Sequence, residues 1–199
     1  MGDDNLPSPA MIEALRGTWA GRPGINGEPR GAGRRFRGDR LTGKAPPRFR
    51  VKFVTTKGPF VVEVKRANAP LGADRFYNLV RAGYYDQIRF HRVIKGAFVQ
   101  FGIHGDPDVN HALINAEIPD DEPSIPNLRG TVAFASLGED TRRAELVINL
   151  ANNPLLDEEG LMPFGQVVSG LKVLERLRSV HTVGRPMPVK GMILLRGNA

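Results

Sequence analysis

Arg92 and Gln100 stand eight residues apart, each inside a short run of β-type residues, Phe90-His91-Arg92-Val93-Ile94 and Phe98-Val99-Gln100-Phe101, with Lys95-Gly96 between them. On adjacent strands alternate side chains point the same way, so the arginine and the glutamine can face one surface while their neighbours fill a core. A guanidinium keeps its charge at any working pH and presents donors in a rigid fork. Taken alone, the pair also fits ordinary surface. His104 and His111 lie seven apart, near Asp106 and Asp108. That spacing is long and irregular for metal ligands, and Gly105-Asp106-Pro107 reads as turn chemistry, so no metal site is expected. Asp120-Asp121-Glu122 reads as a solvated turn rather than an acid/base pair. The 199 residues include no cysteine, which removes disulfides, thiolate-bound zinc and thiol nucleophiles together. No Gly-x-Ser-x-Gly, phosphate loop, dinucleotide fingerprint or His-Glu-x-x-His occurs. Covalent and hydride chemistry lose their usual signatures, and no cofactor is expected.

The elements that must position Arg92 and Gln100 are short strands. Phe49, Val51 and Phe53 alternate with Arg50 and Lys52. After the turn-like Lys57-Gly58-Pro59 comes Phe60-Val61-Val62-Glu63-Val64, which predicts a hairpin. Pro70 opens a helix whose Phe76, Leu79 and Val80 share a face, with Gly83 placed to end it. Residues 102–128, punctuated by Pro107, Pro119, Pro123 and Pro126, read as one long loop framing a site. Further strands are predicted over 130–135, 145–150, 163–168 and 192–195, and a second helix over 171–178. Eight short strands interrupted by two helices argue for a closed antiparallel barrel rather than an alternating βαβ sheet.

Lys and Arg total 28 against 21 Asp and Glu, a net charge of +7. Residues 1–50 hold 10 of the basic and 5 of the acidic residues, so the excess belongs mainly to the front. Apart from a short helical stretch over 9–15, that front shows neither 3.6 nor 2.0 periodicity and is rich in Gly and Arg. It reads as a flexible basic arm over 1–47 ahead of a domain over 48–199. Arg34, Arg35, Arg37 and Arg40 have the charge to neutralise phosphates, and Trp19 and Phe36 have faces to stack on bases. The solvated-tail reading is preferred over nucleic-acid binding, because no nucleic-acid motif accompanies the charges. No run of about 18 apolar residues occurs, so no membrane association is expected. Residues 1–10 lack the basic-then-apolar order of a signal peptide. A cytoplasmic monomer is expected, or an exported one if a signal precedes Met1.

The block Phe90-His91-Arg92-Val93-Ile94, then Gln100-Phe101-Gly102-Ile103-His104-Gly105-Asp106, then Gly130-Thr131-Val132-Ala133-Phe134-Ala135, and finally Pro163-Phe164-Gly165-Gln166-Val167-Val168-Ser169-Gly170 resembles a cyclophilin-type peptidyl-prolyl isomerase. The similarity runs from about Phe49 to Leu195, and Phe101-Gly102-Ile103 followed by Gly105-Asp106-Pro107 resembles a bacterial branch of that family. The resemblance implies an all-β-dominated, closed eight-stranded antiparallel barrel capped by two helices. A groove on one face would bind proline-containing peptides or unfolded proteins, isomerise X-Pro bonds and assist folding. By position, Arg92 is then the catalytic arginine and Gln100 the contact to the peptide backbone. Phe98, Ala135, Val147, Leu155, Leu156 and Leu161 line or border the proline pocket, and Ser136 sits beside the bound backbone where the family commonly has Asn.

Against that pattern the chain carries Val147, Leu155 and Leu161 where rings are usual, Ala97-Phe98 for Phe-Met, and Glu145 for a common Gln. Aliphatic replacements predict a shallower, wider pocket. The alternative function is therefore a catalytically weak peptide-binding or chaperone module on the same scaffold, with nucleic-acid contact through the arm.

Overall fold

A computed structural model describes residues 41–178, 180–181 and 187–195 of the chain. The helix expected over 9–15 and most of the basic arm lie outside the described residues. Leu41 to Pro47, which composition assigns to the arm, is laid against the first helix. Gly43 N–H donates to Asn78 Oδ1 at 3.1 Å, Ala45 N–H donates to Asp74 Oδ1 at 2.7 Å, and Ala45 is buried.

The hairpin forms as the alternation predicts. Strand β1 (Arg48–Thr55) turns Phe49, Val51 and Phe53 inward and leaves Arg48 and Arg50 exposed. Strand β2 (Gly58–Lys65) pairs with it so that Phe53 faces Phe60, and the two rings stack at 4.6 Å. Helix α1 (Pro70–Arg81) begins on its proline and buries Ala73, Phe76, Leu79 and Val80. The chain leaves it through Gly83, at a positive φ of 71°. Strands β3 (Arg89–Ile94), β4 (Phe98–Phe101), β5 (Thr131–Phe134), β6 (Leu146–Asn149) and β7 (Pro163–Ser169) follow at the predicted places.

All the described strands belong to one curled antiparallel sheet, in the order β4, β6, β5, β7, β2, β1, β9, β3, β8, with β3 also paired to β4. Here β8 is the two-residue Val180–His181, and β9 (Met187–Leu195) is longer than the predicted last strand. The described sheet therefore counts nine strands rather than the expected eight.

Four α-helices occur among the described residues rather than two. The long loop contains α2 (Pro107–His111), capped by Asp106, whose carboxylate accepts from Asp108 N–H at 2.9 Å. Helix α3 (Pro154–Glu158) starts on a proline after Asn153. Both are five residues long, too short for a 3.6 period to register, and a capping residue before a proline is their only sequence signal. The last helix, α4 (Leu171–Glu175), stops short of the predicted 178. None of the described helices is long and apolar enough to cross a membrane.

The acidic cluster is not a solvated turn. Asp121 is 7% exposed, and its carboxylate accepts from Leu71 N–H and Gly72 N–H, closing the N-terminus of α1. Fully buried Arg142 holds it, with Nη1 at 3.1 Å from Asp121 and Nε at 2.7 Å from Asp120. The arginine lies 21 residues away, so nothing local in the sequence announces this pairing.

Candidate active site

Apolar side chains fall into two clusters, and strand parity decides which. Val99 and Phe101 on β4, Leu146 and Ile148 on β6, and Val132 and Phe134 on β5 join the large core with α1. Their alternates Phe98, Val147 and Ala133 join a separate small cluster with Ile94, Ala97, Ala135, Leu156 and Leu161, against which half-buried Leu155 packs. On β3 a register shift between Phe90 and Arg92 rephases the strand. Phe90 and Val93 enter the large core, while Ile94, two residues from Arg92, enters the small one.

Partners across the ladder form a row, Arg92 opposite Gln100, Gln100 opposite Val147, and Val147 opposite Ala133. Side chains directly opposite one another on one face of a sheet are neighbours. A cation, an amide and an apolar floor are thereby set side by side across β3, β4, β6 and β5. The Lys95-Gly96 turn joining β3 to β4 uses Gly96 at φ 72°, as its sequence suggests.

The Arg92 guanidinium lies over the Phe98 ring, 5.1 Å from its centroid, a cation–π contact that fixes the head group against the floor. Arg92 is 2% exposed. Burial pushes its pKa below the ordinary arginine value, and the charge of Glu145 opposes that shift. Glu145, itself buried, accepts a hydrogen bond from Gln100 Nε2, and its Oε2 lies 3.5 Å from His91 Nε2. Gly102 makes this approach feasible. At φ 125° it has no Cβ, and one placed there would fall 2.6 Å from Ala144 O and Glu145 Cα.

Beneath the floor, Asn149 Nδ2 donates to Asn127 Oδ1 and Thr131 Oγ1. Asn153 Nδ2 donates to Ala97 O and Asn149 Oδ1, tying α3 to the β3–β4 turn. Ser136 is half-buried just after β5.

Arg92, Gln100, Phe98, Ala135, Val147, Leu155, Leu156 and Leu161 thus gather on one side of the sheet. Phe98, Val147 and Leu156 are fully buried, and Gln100 is 0% exposed. Packing these small and branched side chains into one cluster removes apolar surface from water. Ile94 and Ala133 escape the sequence reading although each stands two residues from a predicted site residue, Arg92 and Ala135. His104, the metal candidate, has its Nδ1 accepting from Asp106 N–H at 3.0 Å, which makes it part of the turn.

The model of the cyclophilin type peptidyl-prolyl cis-trans isomerase family matches residues 50–197. A peptidyl-prolyl cis-trans isomerase-like 1 of Aspergillus niger is 35% identical over 150 residues, covering 73% of this chain and 91% of that protein. The chain belongs to the cyclophilin family. An Arabidopsis thaliana peptidyl-prolyl cis-trans isomerase is 32% identical to this cyclophilin over 76% of its chain and 93% of the plant protein. A Cryptosporidium parvum cyclophilin type isomerase, 23% identical, superposes with a TM-score of 0.63 over 76% of this chain and 99% of its own. That protein has also been crystallised in the presence of the dipeptide Ala-Pro.

Proposed function

We propose that this cyclophilin catalyses cis–trans isomerisation of X-Pro peptide bonds in peptides and unfolded proteins, with Arg92 as the catalytic cation. Gln100 holds the peptide backbone. Phe98, Ala135, Val147, Leu155, Leu156 and Leu161 make the apolar surface for the proline ring, with Ser136 at its rim. Family membership supports the reaction, and the observation that carries the site is the register row that seats Arg92 beside Gln100 over an apolar cluster distinct from the main core. We read the curled sheet, with its β3–β4 pairing, as a closed barrel that holds this row rigid. Assignment to a bacterial branch, a cytoplasmic monomer and a solvated basic arm belong to the same proposal.

The reaction needs no covalent step. The barrier to rotation is about 18–20 kcal/mol because the nitrogen lone pair is conjugated with the carbonyl. Twisting the bond returns the pair to nitrogen, and a guanidinium over that nitrogen gains interaction only as the twist develops. A hydrogen bond to a charged group is worth about 1.5–3 kcal/mol, or one to two powers of ten in rate. The dry floor supplies the rest by withdrawing solvent from the charge-separated planar amide.

Burial of Arg92 and Gln100 favours one second reading, a peptide-binding module of low turnover, since a peptide must displace neighbours to reach them. A protease-coupled assay over a Xaa-Pro peptide set separates the two. Acceleration at micromolar protein is the expected result, and none at tens of micromolar leaves only the binding module.

A further inference from the structure

Glu145 is a buried carboxylate set against Gln100. Gln100 Nε2 donates to Glu145 Oε2, with both side chains buried. Because Glu145 Oε2 accepts from the amide, Gln100 turns its NH2 toward Glu145 and its carbonyl oxygen away. That oxygen, Gln100 Oε1, is buried and has no hydrogen-bond partner among the described residues. A buried acceptor in that state is unfavourable until a donor reaches it. Glutamine at 145 has both a donor and an acceptor, and it fixes neither orientation.

We infer that Glu145 is a positioning residue that locks the Gln100 amide one way round, so that Gln100 meets a peptide with its carbonyl oxygen and selects a backbone N–H flanking the X-Pro bond. The inference rests on the proposed role of Gln100 at the peptide site. The groups that face Glu145 are Gln100, the Arg92 guanidinium, whose charged form it favours, His91 Nε2 at 3.5 Å, and Tyr84, whose ionisation it opposes. None of them donates to Gln100 Oε1. The specificity that results is for the presence of an N–H on the peptide. It adds to whatever the apolar floor selects in the proline ring.

The test uses the full chain and three Ala-Pro peptides, one natural and two in which an ester oxygen replaces, in turn, the backbone N–H before and after the proline. Affinity is read by titration and turnover by exchange spectroscopy, so that binding is scored whether or not the bond is isomerised. The expected result is a loss of about 5- to 10-fold in affinity for one of the two esters, the size of one neutral hydrogen bond. In E145Q that loss should shrink to less than about twofold, because the Gln100 amide is free to reverse. In E145D, which keeps an acceptor-only partner, it should persist. The Gln100 side-chain NH2 resonances report the lock itself. They should be shifted and slow to exchange in the parent protein and in E145D, and should relax toward free-amide values in E145Q.

Equal affinity for all three peptides, or an ester penalty unchanged in E145Q, overturns the inference while a measured turnover leaves the isomerase reading standing. A selective ester penalty without turnover supports the inference and removes the isomerase reading. No peptide binding at all removes both.

Discussion

The two apolar clusters of this cyclophilin are built from different side chains. The large core carries ten buried aromatic residues, among them Phe49, Phe53, Phe60, Phe76 and Phe90, and it joins α1 to the inner face of the sheet. The small cluster under Arg92 carries one, Phe98, amid alanine, valine, isoleucine and leucine. Rings cover large areas and dominate the free energy of burial, so the stability of the domain resides in the first cluster. The second is spared that duty and can be recomposed, and its single ring has been placed under the guanidinium. Comparing the two shows how one alternating sequence supplies both a scaffold and a site. Odd and even positions of the same strands serve different ends, and the register shift ahead of Arg92 hands that residue to the second.

Truncation in the large core should give the largest effect. Phe76→Ala removes a fully buried ring that packs on Phe49, Phe53, Tyr85 and Phe164. A loss of about 3–5 kcal/mol is expected in urea unfolding. An unfolding midpoint close to that of the parent would mean that stability is not concentrated there.

Next comes Arg92→Ala, expected to cost about 10- to 100-fold in kcat/KM on Xaa-Pro peptides, the equivalent of one charge-assisted hydrogen bond. Circular dichroism should show the sheet retained. Phe98→Leu sharpens the comparison further, since it keeps apolar volume and removes only the ring beneath the guanidinium. The cation–π contact is worth about 0.5–2 kcal/mol, so peptide turnover should fall about 2- to 30-fold while the change in stability stays below about 1.5 kcal/mol.

The smallest effect concerns acid stability, at the edge of the large core. Burial tends to raise the pKa of Asp74, but hydrogen bonds from Arg66 and from Ala45 N–H outweigh it and hold the carboxyl below its ordinary value. A group depressed in the folded state stabilises above its unfolded pKa, near 4, and loses that contribution as pH falls through the folded value. Asp74→Asn should lower stability at neutral pH and flatten its decline between about pH 5 and pH 2. Parallel unfolding curves across that range for the two proteins would reject the assignment.

Much of this was legible in the amino-acid sequence. The alternation of Phe49, Val51 and Phe53 with basic residues yields the hairpin, and Pro70 with Gly83 brackets α1. The Phe-His-Arg block with Gln100 leads to the site through a family resemblance. Residue spacing alone left Arg92 and Gln100 as ordinary surface. What stayed hidden depends on distance or on a single irregularity. The register shift before Arg92 has no compositional mark. The short helices α2 and α3 span little more than one turn. Asp121 reads as solvated until Arg142 is brought to it, and Glu145 reads as a departure from the family until Gly102 lets its backbone lie against β4.

The central claim is that an X-Pro peptide engages the face carrying Arg92, Gln100 and the small cluster. Chemical-shift mapping of the labelled protein during titration with an Ala-Pro peptide tests it most directly. Concentrated perturbation is expected at the Arg92 and Gln100 side chains and at the Ala133, Ala135 and Val147 methyls, with the Val51 and Val62 methyls of the large core unmoved. Perturbations clustered on any other face, or none at saturating peptide, would contradict it.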